Sequence, residues 1–248
     1  KAEKNIFICL REHLDSYPLA AGIGNAFPGA RIVPLDKVTE GQACTCELGL
    51  AGEDPEAPLL IAPSDWGFMW DARRYAEILN DEKTDAALWS FTRHYLAGIK
   101  PQMFGWIRTD GGNNALQVSV KKPVSPDPYN DQGMIAVFYF RKARYFLEGL
   151  REIYGRDLRV NGEFYVDSVA QVLVERGLRV KVFPVSHYAS WGTPDELKTF
   201  EYWQSFFHKD PEHPYRLEDD PSIAGEALEY YRERCSPRAG IHDAEKPR

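Results

Sequence analysis

Pro58-Leu59-Leu60-Ile61-Ala62-Pro63-Ser64-Asp65-Trp66 places four consecutive apolar residues between prolines, with a carboxylate just beyond. Such a run predicts a short strand buried on both faces, with Asp65 at its carboxyl end. In an open α/β sheet that end is where ligands gather. An Asp there either caps the turn or helix that follows or holds a metal ion. The rest of the chain has to choose between the two.

Working outward toward the amino terminus, residues 5–10 (Asn-Ile-Phe-Ile-Cys-Leu) predict another buried strand, and 13–27 a helix weakened by Pro18 and three glycines. Residues 31–35 predict a second strand, with Pro34 at its end or on an edge. Thr39 with Gln42 three residues on reads as a capping box opening a helix that runs to about Leu50. Strand, helix, strand, helix, strand implies parallel pairing through right-handed crossovers, and hence a doubly wound sheet.

Toward the carboxyl terminus, 70–80 predicts a helix and 86–91 a buried strand. Two runs, 104–108 and 115–120, flank the turn Asp110-Gly111-Gly112-Asn113-Asn114 and predict a hairpin. Residues 135–140 predict a strand, 143–154 and 163–176 helices, and 179–185 a further strand. Thr193-Pro194-Asp195-Glu196-Leu197 predicts a helix start, with Thr as N-cap and Pro in the first turn. The helix it opens carries Phe200, Trp203, Phe206 and Phe207, a stripe suited to the core or to a seam with another domain or a second subunit. Beyond His208 the chain turns polar, with one amphipathic helix at 225–235. Residues 1–208 are therefore expected to form the main domain and 209–248 a helical extension or linker.

With 248 residues, 44% of them apolar, the chain can bury a full core. A net charge of −7 gives no electrostatic footprint for nucleic acid. No run is long enough to span a bilayer and no signal peptide is evident. Cys9, Cys44, Cys46 and Cys235 lack metal-site spacing and read as reduced thiols, pointing to the cytoplasm. No Gly-x-Ser-x-Gly elbow accompanies any His. What remains is an acid at a strand end, Lys121-Lys122 after another strand, and Glu163 opening a helix. A carboxylate holding Mg²⁺ beside a lysine is what phosphoryl chemistry needs, although paired lysines also commonly blunt a sheet edge.

Five stretches, in order, resemble the sugar-phosphate nucleotidyltransferase family, in particular its capsule and surface-polysaccharide branch. They are Thr39-Glu40-Gly41-Gln42-Ala43, residues 59–65, Val120-Lys121-Lys122-Pro123, residues 162–168 (Gly-Glu-Phe-Tyr-Val-Asp-Ser) and residues 191–197. The resemblance implies an α/β, Rossmann-like fold of the glycosyltransferase-A type, a doubly wound mixed sheet with helices on both faces. It also implies the reaction of an NTP with a sugar 1-phosphate to give an NDP-sugar and pyrophosphate, with Mg²⁺. On that likeness Asp65 is the metal-binding and catalytic Asp, Gly41 and Gln42 pack against the nucleobase, and Lys122 neutralises the sugar phosphate. Glu163 takes hydrogen bonds from the sugar, and Ala136 falls where the family often has a glycine. Three departures accompany it. The family's first strand and glycine-rich loop have no counterpart ahead of Asn5. Ser190 stands where a second metal-binding Asp is expected, leaving Asp71 or substrate phosphates to make up the charge. Lys121 replaces an acid. Two other functions suit the same fold: a non-catalytic module binding sugar phosphates or nucleotides, and a glycosyltransferase using an NDP-sugar.

Overall fold

The computed structural model describes residues 2–209 and positions 212, 214 and 219; the helix expected at 225–235 lies outside the described residues. The chain divides into two compact units, one of Lys1–Pro63 with Met69–His187, the other of Ser64–Phe68 with the chain from Tyr188 onward.

The larger unit begins with β1 (Ile6–Leu10), α1 (Arg11–Ser16), α2 (Leu19–Ala26) and β2 (Arg31–Leu35). Where one helix was expected over 13–27 there are two, because Pro18 has no N–H to donate and the chain turns at Tyr17. β1 and β2 pair in parallel, Ile6 opposite Arg31, as a two-stranded sheet of their own. α3 (Gln42–Gly49) follows and lies so close on β1 that a side chain on Gly49 would meet Ile8. The expected capping box does not form. Gly41 is the N-cap, and the Thr39 hydroxyl bonds instead to the Gly41 carbonyl at 2.8 Å and the Thr45 hydroxyl at 2.7 Å.

The stretch around Pro58 also differs from its reading. β3 is only Leu59–Ile61, pairs antiparallel with β8 (Gln132–Phe140), and leaves Leu60 49% exposed. A three-residue strand held along one edge cannot bury both faces, so the continuous parallel sheet expected for this half does not form. The main sheet is mixed. Its order is β7-β6-β8-β5-β9, built from β5 (Ala86–Phe91), β6 (Trp106–Thr109), β7 (Ala115–Ser119) and β9 (Val180–Pro184) around β8. β5 and β9 are parallel and the other pairs antiparallel. All six residues of β5 are buried, as a central strand requires.

β8 organises this sheet. One edge pairs with β5; the other is shared by β6, at Gln132 and Gly133, and β3, at 138–140. The two partners leave residues 135–137 without a strand on that edge. Opposite them the β5–β8 register slips between Leu88 and Ser90, and Ala136 takes φ +51°. β-Bulges of this kind re-aim a strand beside functional sites.

α6 (Ala143–Gly155) and α7 (Val166–Glu175) cover the sheet, inserting Phe146, Leu150, Ile153, Val169 and Leu173 into a core with Phe138 and Phe140. Each such side chain contributes about 1.5–3 kcal/mol. α4 (Ala72–Asn80) is capped by Asp71, whose carboxylate accepts from the Arg73 and Arg74 N–H groups. It packs through Tyr75 on Trp89 and Phe183, with ring centroids 4.9 and 5.4 Å apart. The loop expected near Lys100 holds α5 (Tyr95–Ile99) and a 3-10 turn at Pro101–Met103.

In the smaller unit, most of β4 (Trp66–Met69) pairs with β10 (His187–Ser190), and the Trp191 N–H donates to the Asp65 carbonyl at 2.8 Å. α8 (Pro194–Lys209) starts as expected: Glu196 N–H donates to the Thr193 hydroxyl, which donates in turn to the Glu196 carboxylate. The Trp191 ring packs on Phe200 at 5.0 Å. Among the described residues no helix is long and apolar enough to cross a membrane.

Candidate active site

In the larger unit, two segments far apart in sequence are joined through their backbones. Phe164 N–H donates to the Glu40 carbonyl at 2.9 Å, and Ala43 N–H donates to the Phe164 carbonyl at 3.0 Å. Arg159 reinforces the join, pairing with Glu40 at 2.6 Å while its guanidinium lies 4.2 Å from the centre of the Phe164 ring. Gly41 and Gln42 are thereby fixed beside Glu163.

Gly41 sits at φ 134°, ψ 172°, a region open in practice only to glycine. A β-carbon there would stand 2.5 Å from the Phe164 carbonyl oxygen and 2.6 Å from its nitrogen. The first collision at Gly41 is thus with the chain's own backbone, before any nucleobase is considered. Gln42 is the first residue of α3. Glu163 is exposed and precedes α7 instead of opening it, because the paired bonds between Val160 and Glu163 form a tight turn there.

The Lys121-Lys122 pair splits in direction. Lys122 is exposed and makes no hydrogen bond or ion pair. Lys121 takes φ +60° and turns inward, donating to the Met103 carbonyl at 2.7 Å with its ammonium 5.3 Å from the centre of the Tyr165 ring. Beneath it lies Asp167, 6% exposed, whose carboxyl burial pushes up to about 6 while Lys121 pulls it back. Tyr165 is pushed up to about 12, first by burial and then by the Glu163 carboxylate. Sequence reasoning passed over Lys121, Tyr165 and Asp167 as site residues. Two of them lie within the motif at 162–168, but nothing in their spacing shows which side chains turn inward.

Ala136, at the β8 bulge, holds the left-handed conformation that glycine adopts without cost. The backbone there has the shape of a glycine position although the residue is alanine.

In the smaller unit, Asp65 lies in the bend before β4, exposed and, among the described residues, making no hydrogen bond through its carboxylate. It caps nothing: a strand follows it, and Asp71 caps the next helix. A methyl group on Gly192 would stand 3.2 Å from Asp65 Oδ2 and 3.7 Å from the Ser190 hydroxyl, so those two oxygens share one neighbourhood. Glu196 Oε1 is buried and makes no hydrogen bond. The Tyr188 phenol is pushed upward, chiefly by burial, and feels both Glu196 and Asp65. Asp71 caps α4 through one carboxylate oxygen, Oδ1, which accepts from both N–H groups.

Mg²⁺ prefers one or two carboxylates completed by water and substrate phosphates. The exposed Asp65 carboxylate and the adjacent Ser190 hydroxyl fit that preference, with water and substrate phosphates to complete the set; among the described residues no group of three or more His, Cys, Asp or Glu side chains is gathered for a metal ion. Two cavities of about 250 and 510 Å³ open around Asp81 and Lys181, and none of the sequence-predicted site residues lines either of them.

Among solved structures, the chain resembles a nucleoside-diphosphate-sugar pyrophosphorylase from Vibrio cholerae RC9, at TM-score 0.63 and 20% identity, over 80% of each chain. The chain shares its fold. A protein from Bacillus anthracis, provisionally named a glucose-1-phosphate thymidylyltransferase, aligns at TM-score 0.57 and 17% identity, over 78% of this chain and 73% of its own. The inositol-1-phosphate CTP transferase of T. maritima aligns at TM-score 0.56 and 15% identity, over 79% and 72%. The α/β, Rossmann-like architecture with a mixed central sheet is therefore the fold seen in these three solved structures. No protein-family model and no curated protein sequence matches the chain.

Proposed function

We propose that the chain transfers a nucleoside monophosphate from an NTP to a sugar 1-phosphate and releases pyrophosphate, within nucleotide-sugar and polysaccharide synthesis. The observation that carries this reading is the backbone join between residues 40–43 and 163–165, which holds the segment assigned to the nucleobase against the glutamate assigned to the sugar. The bulge at Ala136 and the fold shared with the three solved structures support it.

In this mechanism a sugar-phosphate oxygen attacks the α-phosphorus in line. A P–O bond forms to the sugar phosphate, the bond from the α-phosphorus to the bridging oxygen breaks, and pyrophosphate departs with the electron pair. Both reactants are anions, so the main tasks are positioning and charge neutralisation. Gly41 and Gln42 bound the nucleobase. The Lys122 ammonium faces the sugar phosphate, and the Glu163 carboxylate accepts from sugar hydroxyls. Asp65, with Ser190 beside it, would hold Mg²⁺, whose chemistry when bound is to draw charge from phosphate oxygens.

A coupled pyrophosphate assay, run over the four NTPs and a panel of sugar 1-phosphates, tests this directly. Asp65→Asn should lower Mg²⁺-dependent release by at least roughly a hundredfold while leaving the circular dichroism spectrum unchanged. Failure of the wild-type protein to turn over any pair defeats the proposal. Ser190, in place of a second acid, favours one other reading, a binding module without turnover. Such a module would take up sugar phosphates equally well with and without Mg²⁺ in calorimetry.

A further inference from the structure

We infer that Lys121 is a positioning residue whose ammonium ties the segment bearing Lys122 to the segment bearing Glu163; the inference rests on the nucleotidyl-transfer reading. β7 ends at Ser119, and two residues later Lys121 adopts φ +60°, a conformation strained for a non-glycine residue that has to be held by something. What holds it is the inward contact set. An ammonium has three donors; one bonds the Met103 carbonyl at 2.7 Å, and the group also lies over the Tyr165 ring near the buried Asp167 carboxylate. Room for that carboxylate exists because residue 105 is glycine: a β-carbon there would overlap Asp167 Oδ2.

Two consequences follow for the substrate-facing side chains. The left-handed turn at Lys121 sends its exposed neighbour Lys122 the other way, to the surface. On the other side, the Tyr165 ring that carries the ammonium lies two residues from Glu163, in the segment whose Phe164 is bonded to Glu40 and Ala43. A single internal cation therefore sets the residue assigned to the phosphate and the residue assigned to the sugar hydroxyls. Stability alone is a weak reason to keep such charges, since replacing a buried ion pair with apolar groups is often neutral or favourable. Position is the stronger one.

The test is calorimetric titration of hexose 1-phosphates and NTPs into the wild-type protein, the double variant Lys121→Met/Asp167→Asn, and Tyr165→Leu. The double variant removes both charges together, so no unpaired ion is left behind. It should bind hexose 1-phosphate roughly tenfold more weakly while NTP affinity is unchanged. Tyr165→Leu leaves both charges and removes only the ring under the ammonium, and should weaken hexose 1-phosphate binding roughly threefold to tenfold. A double variant that folds and binds hexose 1-phosphate as tightly as wild type overturns the inference. If the double variant does not fold, Tyr165→Leu decides, and unchanged binding there overturns it as well. A wild-type protein that binds none of the hexose 1-phosphates removes the nucleotidyl-transfer reading itself, and this inference with it.

Discussion

Replacing Gly41 with alanine should be among the most damaging single methyl additions in the chain, and the structure says why. At φ 134°, ψ 172° an alanine is strained by about 1–3 kcal/mol before any contact is considered. Its β-carbon would also press on three backbone atoms of Phe164, at 2.5, 2.6 and 3.0 Å. Backbone cannot rotate away as a side-chain tip can, so the 163–165 segment has to retreat. Retreat breaks the bonds from Phe164 N–H to the Glu40 carbonyl and from Ala43 N–H to the Phe164 carbonyl, each worth about 1 kcal/mol. The total is on the order of 4 kcal/mol. Gly52→Ala is the matched control: its φ is +81°, but no atom lies within 4 Å of the added carbon, so only about 1 kcal/mol of strain applies. Urea denaturation followed by far-ultraviolet circular dichroism measures both variants. Equal losses in the two would refute the reasoning, because the collision with Phe164 would then contribute nothing.

Asp167 gives a pH dependence whose sign is set by burial. The folded protein holds this proton more tightly than the unfolded chain does, so the associated stability is present below about pH 4 and lost as pH rises through about 6. Asp167→Asn should remove roughly 3 kcal/mol of that decline, and thermal melts that keep the wild-type slope in the variant would contradict the assignment. Ala136→Gly relieves a left-handed alanine and should raise stability by about 0.5–1 kcal/mol, seen as a higher denaturation midpoint; a lower midpoint counts against the bulge. The Cys46 thiol, pushed up to about 12 by burial and then by Cys44, should resist iodoacetamide at pH 8 in the folded protein and react in urea; labelling of folded Cys46 would contradict its burial.

The elements with strong local patterns were legible in advance. Six buried residues in β5, the hairpin around Asp110-Gly111-Gly112 and the Thr193 cap with Pro194 behind it all rest on neighbours in sequence, and each appears as expected. The candidate site was legible residue by residue but not as an arrangement. Thr39 and Gln42 have the spacing of a capping box, yet the turn at Gly41 redirects the Thr39 hydroxyl. Lys121 and Lys122 are chemically identical neighbours, and only the sign of one backbone angle sends one inward and leaves the other at the surface.

The sequence by itself determined many of the strands and helices, among them β1, β2, β5 and α6, and that the class is α/β, because periodicity, caps and turn residues act over a few positions. Only the tertiary structure decided that β3 joins β8 in antiparallel, that Gly41 is required by the Phe164 backbone, and that Asp167 lies buried beneath Lys121. Those three depend on pairing and burial between residues far apart along the chain. Hydrogen bonds and desolvation act through distance in space, and a linear pattern carries no record of it.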